Sequence, residues 1–166
     1  MCQRIIKEQK QTYMKEKKIQ FCTFTVGAHL FGVDIHDVRE IKDDFSITPV
    51  HHAPKEIKGL TNIRGQVYLA LNLRVILQIR DIKEKSENRL ILFKSKIGQD
   101  LFGILVDSHK GVVHVPETII EYHQYDQSIP SEMTMKRSIT VGVCKLQSKL
   151  LTILNAKNLL VSIQQG

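Results

Sequence analysis

The chain says nearly the same thing twice, in two staggered copies. Leu30-Phe31-Gly32-Val33-Asp34-Ile35, with Ile41 after it, returns 71 residues later as Leu101-Phe102-Gly103-Ile104-Leu105-Val106, with Val112 after it. A second pair lies 83 residues apart: Gly59 matches Gly142, and Ala70-Leu71-Asn72 matches Ile153-Leu154-Asn155, each followed by hydrophobics that end in Ile76-Leu77 and Leu159-Leu160. A solenoid needs roughly three or more stacked repeats to bury a continuous core, so a single duplication points to two similar small units. Two independent domains, each half of 166 residues, would be marginally stable. A shared interface between the units is therefore expected.

The periodicity within each unit is that of strands. Phe31, Val33 and Ile35 alternate with Gly32 and Asp34, as a strand with one buried face requires. Phe21 to Val26 and Leu30 to Ile35, joined through Gly27-Ala28-His29, read as a hairpin, and Leu90 to Lys94 with Leu101 to Val106 as its counterpart. In Val67 to Leu73 the residues Val67, Leu69, Leu71 and Leu73 share one face, with Gln66, Tyr68, Ala70 and Asn72 on the other; Leu150 to Leu154 repeats this less cleanly. A further strand begins near Val38 and near Gly111. About five short strands per unit predict a small closed barrel, which also removes exposed sheet edges. Helix is expected only at Pro54 to Lys58, Arg74 to Ile79 and Ala156 to Leu160. The polar run Asp81 to Asn88 is the expected boundary between units, and Tyr122 to Ser138, with Pro130 and no clear period, an irregular surface loop.

The bulk properties exclude several classes. No apolar run approaches the roughly 18 residues of a membrane span, and Met1 to Lys18 is too polar for a secretory signal, which leads us to expect a cytoplasmic protein. The net charge of +7 is uneven: residues 1–18 hold six Lys or Arg against Glu8 and Glu16, giving +4 and leaving +3 for the rest. Such a charge-rich leader buries too little apolar surface to order itself. Cys2, Cys22 and Cys144 have no C-x-x-C spacing and form no zinc pattern with the scattered histidines; Cys22 and Cys144 read as small packing groups. His51-His52 on an extended segment point to opposite faces. No nucleophile elbow, phosphate-binding loop or dinucleotide fingerprint occurs, so no enzymatic activity and no cofactor or metal is expected.

Against this background a set of short motifs stands out: Val38-Arg39-Glu40-Ile41, Ile47-Thr48-Pro49-Val50, Ala53-Pro54, Ile57-Lys58-Gly59-Leu60, Asn62-Ile63-Arg64-Gly65 and Asn72-Leu73-Arg74. In order and spacing they resemble the CheW family of chemotaxis coupling proteins, whose text reads approximately V-x-E-I, I-T-P-V, A-P, I-x-G, N-x-R-G and D-L-R. Gly103-Ile104-Leu105-Val106-Asp107 with Gly111-Val112 is similar to the family's G-x-x-V-D-x-V-x-G-V element, and Gly142 with Leu150 to Leu160 to its closing strands. The likeness covers roughly residues 20 to 161. Departures are Asn72 and Asn155 at positions usually acidic, His109 in place of a valine, and Ile119-Ile120-Glu121-Tyr122-His123 where many members carry a proline-rich stretch.

The resemblance implies an all-β fold of two five-stranded Src-homology-3-like barrels sharing a hydrophobic core, with short helices. The expected organisation is a basic leader at 1–18, a single domain at 19–161 (a first barrel to about 82, a second from 83, with strands free to cross over) and a tail at 162–166. It also implies a non-enzymatic adaptor, recruited to receptor arrays without inserting into the membrane, that bridges the cytoplasmic tip of chemoreceptors (methyl-accepting chemotaxis proteins) and the regulatory domain of the CheA histidine kinase. On that reading Val38, Glu40, Gly59, Asn62 and Arg64 line the receptor surface, and the exposed end of the second barrel, around Leu101, Gly103 and Val112, meets the kinase. Glu40 and Arg64 are charges inside apolar or turn-like motifs and are candidates to pair across adjacent strands, which by itself would only fix the Asn62 to Gly65 turn. Gly59 and Gly65 have structural readings too, as a close approach or helix end and a tight turn.

Two other classes compete. A nucleic-acid-binding small barrel is motivated by the pI near 9.4, but such barrels interleave aromatic with basic residues so that bases can stack, and here there is no tryptophan; no nucleic acid is therefore expected. A detached module of a kinase or of a CheV-type fusion would need receiver or ATPase sequence, which the chain does not carry.

Overall fold

The computed structural model describes residues 16–80, 88–94, 100–124 and 139–164. Within them the chain forms β1 (Lys18–Val26), β2 (His29–Asp34), β3 (Val38–Lys42), β4 (Ile57–Ile63), β5 (Gln66–Asn72), β6 (Arg89–Phe93), β7 (Phe102–Val106), β8 (Ser108–Pro116), β9 (Ile120–Tyr122), β10 (Thr140–Leu146) and β11 (Lys149–Leu154). Two helices, α1 (Leu73–Ile76) and α2 (Ala156–Gln164), follow β5 and β11. Asn72 and Asn155 each use Oδ1 to accept a backbone N–H of the helix that follows, from Val75 and Lys157, so an amide supplies the N-cap that a carboxylate could.

The strands make two sheets, in the orders β8-β1-β2-β11-β10-β9 and β3-β6-β7-β5-β4. Each sheet takes its central hairpin from one copy of the repeat and its flanking strands from the other. The junctions are parallel and equivalent: Leu69 pairs with Phe102 and Thr152 with Phe31, the 83- and 71-residue offsets of the sequence. Matching bulges fall between Ile57 and Gly59 and between Thr140 and Gly142. A cut at residue 82 therefore leaves strands of both sheets on each side.

Three cores follow from the alternation. Phe21, Val115, Cys144, Leu151 and Ile153 fill the barrel of the six-stranded sheet. Tyr68, Ala70, Leu90 and Leu92 fill the other, with Phe45, Ile47 and Leu101 against them. Between the barrels lies the largest, built from Phe24, Val33, Phe93, Phe102, Ile104 and the inner faces of α1 and α2. Strand β5 is thus buried on both faces, Tyr68 and Ala70 into its own barrel and Leu71 into the shared core.

Some local expectations change. Pro54 to Lys58 is not helical: Ile57 N–H donates to Pro54 O at 2.9 Å in a single turn, and Ile57 already pairs with Leu71 as the start of β4. The helix expected over Arg74 to Ile79 is the shorter α1. A short extra strand, β9, occupies part of the stretch after Pro116. Of the expected boundary Asp81 to Asn88 only Asn88 is described, and of the loop Tyr122 to Ser138 only residues 122–124. Lys18 of the leader already pairs with Pro116, and Lys17 holds Glu117 at 3.0 Å on the surface. Because, among the described residues, shared packing begins at Ile19, deleting residues 1–18 should lower the thermal midpoint by only a few degrees; a drop of many degrees would contradict this.

Candidate functional site

The β4–β5 hairpin turns on two residues, Arg64 and Gly65, with φ of 52° and 82°. Both central residues at positive φ make a type I′ turn, whose twist suits the flanking strands. Asn62 Oδ1 accepts the Gly65 N–H at 2.9 Å and fixes it. Glycine meets the second position freely, but arginine at the first adopts a conformation few non-glycine residues favour. The turn projects the Arg64 side chain into solvent, where its Nη1 lies 3.1 Å from Glu40 Oε2, with side-chain exposures of 74% and 23%.

Glu40 and Arg64 do pair, though not across adjacent strands. Strand β3 and the β4 edge lie at opposite ends of the five-stranded sheet, and barrel curvature brings the edges together. The ion pair closes that seam. Lys42 Nζ stands 3.8 Å from Glu40 Oε1, which is buried and accepts no hydrogen bond among the described residues. The Arg39 guanidinium sits 5.9 Å from the centre of the Tyr68 ring, within range of a cation–π contact.

Beside this charged seam is an apolar strip that sequence reasoning missed. Leu60 and Val67, 37% and 54% exposed, project from β4 and β5, with half-buried Leu69 opposite Leu60. The internal repeat builds the same surface on the other sheet. There Leu150 is 58% exposed, Val143 is half-buried, and Gln147, 83 residues after Arg64, again has positive φ, at 33°. The 83-residue offset was the signal that could have found both.

The predicted site residues fall into different places. Asn62 and Arg64 are exposed, and Glu40 is half-buried beside Arg64. Val38 is not on the surface: it is buried in the core between the barrels, because the bulge between Val38 and Glu40 separates the two side chains. Gly59 is buried too, and a Cβ there would overlap the carbonyl of Thr48, which pairs with Leu60 to close the barrel. The close approach at Gly59 is thus made by the chain itself. Gly142 serves likewise beneath Glu121, 2.8 Å from where its Cβ would be. Gly103 is buried in β7 and half-buried Leu101 packs into the barrel of the five-stranded sheet; both belong to that sheet, whereas Val112 is exposed on β8 of the other.

Cys22 and Cys144 are buried free thiols, and burial pushes Cys22 up to about 11. His51 and His52 lie exposed in a turn, and no group of three metal-ligating residues occurs among the described residues. Phe21, Phe24, Phe31, Phe93, Phe102 and Tyr68 are buried, while Tyr122 is 50% exposed. No described helix is long and apolar enough to cross a membrane.

Residues 20–164 match the protein family described as "CheW-like domain". The chain is 29% identical to the chemotaxis protein CheW of Klebsiella aerogenes over 86% of its own length and 82% of that protein. Against the CheW of Thermotoga maritima it is 24% identical over 90% and 94%. Its fold is similar to the crystal structure of the scaffolding protein TtCheW from Thermoanaerobacter tengcongensis, with a TM-score of 0.72 and 25% identity, covering 86% of this chain and 92% of that one.

Proposed function

Since the chain belongs to the CheW-like domain family, whose members are scaffolds of chemotaxis rather than enzymes, we propose that it couples the cytoplasmic tips of chemoreceptors to the CheA histidine kinase. It works by geometry. Holding both partners raises their effective concentration and sets the kinase's orientation, so that a receptor change shifts kinase populations without any chemistry in the adaptor. In the cell this recruits it to membrane-associated receptor arrays.

The observation that carries this reading is an exposed apolar strip bordered by polar groups and repeated on the two sheets, since an exposed patch of this kind is an ordinary sign of a protein interface. The strip of Leu60 and Val67 with Asn62, Arg64 and Glu40 is assigned to the receptor. Leu150 and Val143, together with Val112, are assigned to the kinase. Val38, Gly59 and Gly103 are buried and Leu101 is half-buried, so none of them is assigned a contact.

Leu60→Glu should weaken binding to a receptor cytoplasmic fragment while leaving binding to the CheA regulatory domain intact, and Leu150→Glu should do the reverse. Each desolvates a charge at an apolar contact, so a loss of tenfold or more is expected. Pull-downs with the two purified partners decide it. If folded variants of both kinds always lose both partners together, the two-surface assignment is wrong.

A further inference from the structure

One difference between the two halves of the repeat is an ion pair. In the first, Arg74 places Nη2 2.8 Å from Asp107 Oδ2, which also accepts the Gly27 N–H at 2.7 Å. The residue 83 positions after Arg74 is Lys157, which is exposed on α2. Beneath it is a cavity of about 280 Å³, floored by Phe21, Val141 and Ile153 and rimmed by Asp34, Asp37 and Tyr122. Lys157 lines it as well and acts on Asp37 electrostatically, but the two form no ion pair.

Both rim carboxylates have oxygens to spare. Asp34 Oδ1 accepts from the His36 backbone N–H at 2.9 Å and lies 2.8 Å from His36 Nδ1. No described residue is bonded to its Oδ2, or to either oxygen of Asp37. Burial first, then the charge of Asp34, holds the Asp37 carboxyl above its usual range. The charges of Lys157, Lys94 and His36 pull the other way without cancelling this.

We propose that this cavity is a socket for an arginine side chain of a partner protein. A guanidinium offers a planar fork of donors that can reach both carboxylates, and its flat face suits the exposed Tyr122 ring. Its methylene stem would cover the apolar floor. A wholly apolar ligand would strip water from the carboxylates without replacing their hydrogen bonds, and an anion would be repelled. In the other half the residue at the place of Lys157 is itself an arginine, Arg74, and it does hold a carboxylate, that of Asp107.

The test uses N-acetyl-arginine methylamide as probe, with the citrulline analogue as its neutral counterpart. Binding to the full chain is followed through the methyl resonances of Val141 and Ile153. Saturable shifts at these methyls are expected with the arginine probe alone, in the millimolar range suited to a single charged anchor. Asp37→Asn should weaken them at least tenfold, with the Val33 and Leu71 methyls unmoved as the check on folding. Lys157→Ala should leave binding equal or tighter. No saturable shift up to about 50 mM, equal shifts with citrulline, or equal binding by a folded Asp37→Asn would each overturn the proposal.

Discussion

Asp107→Ala is expected to lower the unfolding free energy by about 3 to 5 kcal/mol, among the largest effects of any single change in this chain. Asp107 and Arg74 are only 13% and 20% exposed, so removing the carboxylate takes an anionic partner from a guanidinium in a poorly hydrated place. It also takes away the acceptor of the Gly27 N–H, and an unmet donor there adds its own penalty. The link matters beyond its pair energy because it ties α1, which follows the five-stranded sheet, to the β1–β2 turn of the other sheet. Asp107→Asn, which keeps an acceptor but no charge, should fall between alanine and the native residue. Urea denaturation reads all three. A loss under about 1 kcal/mol for Asp107→Ala would place the pair with ordinary surface ion pairs.

Arg64→Asn should separate binding from folding. Asparagine followed by glycine is the favoured pair for a type I′ turn, so the change relieves the backbone of Arg64 while removing the cation from Glu40. The ion pair is largely exposed on the arginine side, and such pairs contribute about 0 to 1 kcal/mol. Stability should therefore stay within about 1 kcal/mol of the native protein, while receptor coupling falls at least tenfold, as it should for Arg64→Ala. If Arg64→Asn unfolds the protein, the pair is structural. If it folds and couples normally, the seam is not the receptor surface.

Local pattern carried much of the architecture. Alternation in Leu30 to Ile35 and its copy marked both first hairpins, because these depend on residues near in sequence. Which hairpin joins which sheet was not legible: β5 presents the same edge whether its parallel neighbour is β2 or β7. The site was half legible. Asn62, Arg64 and Gly65 announce a turn by residue type, and Glu40 is a charge in an apolar setting. Val38 was misplaced because the bulge that turns it inward has no signature in Val38-Arg39-Glu40. The close approach expected at Gly59 is present, but its partner, Thr48, eleven residues earlier, was not legible because it lies across a loop whose path no local pattern gives. Leu60 and Val67 were overlooked because apolar residues alternate on both faces of strands that have two cores.

The interleaving of the sheets has a consequence in time. During synthesis β3, β4 and β5 emerge before β6 and β7, the strands that lie between them in the finished sheet. The charged seam and its apolar strip therefore cannot take their final form until the chain has grown past Val106, and the other sheet waits for β11. Such non-local pairing is slow and leaves strand edges open while it is pending. The early half is thus a guest awaiting its host, and a partner able to recognise the finished seam is offered it only by a chain that has committed both halves.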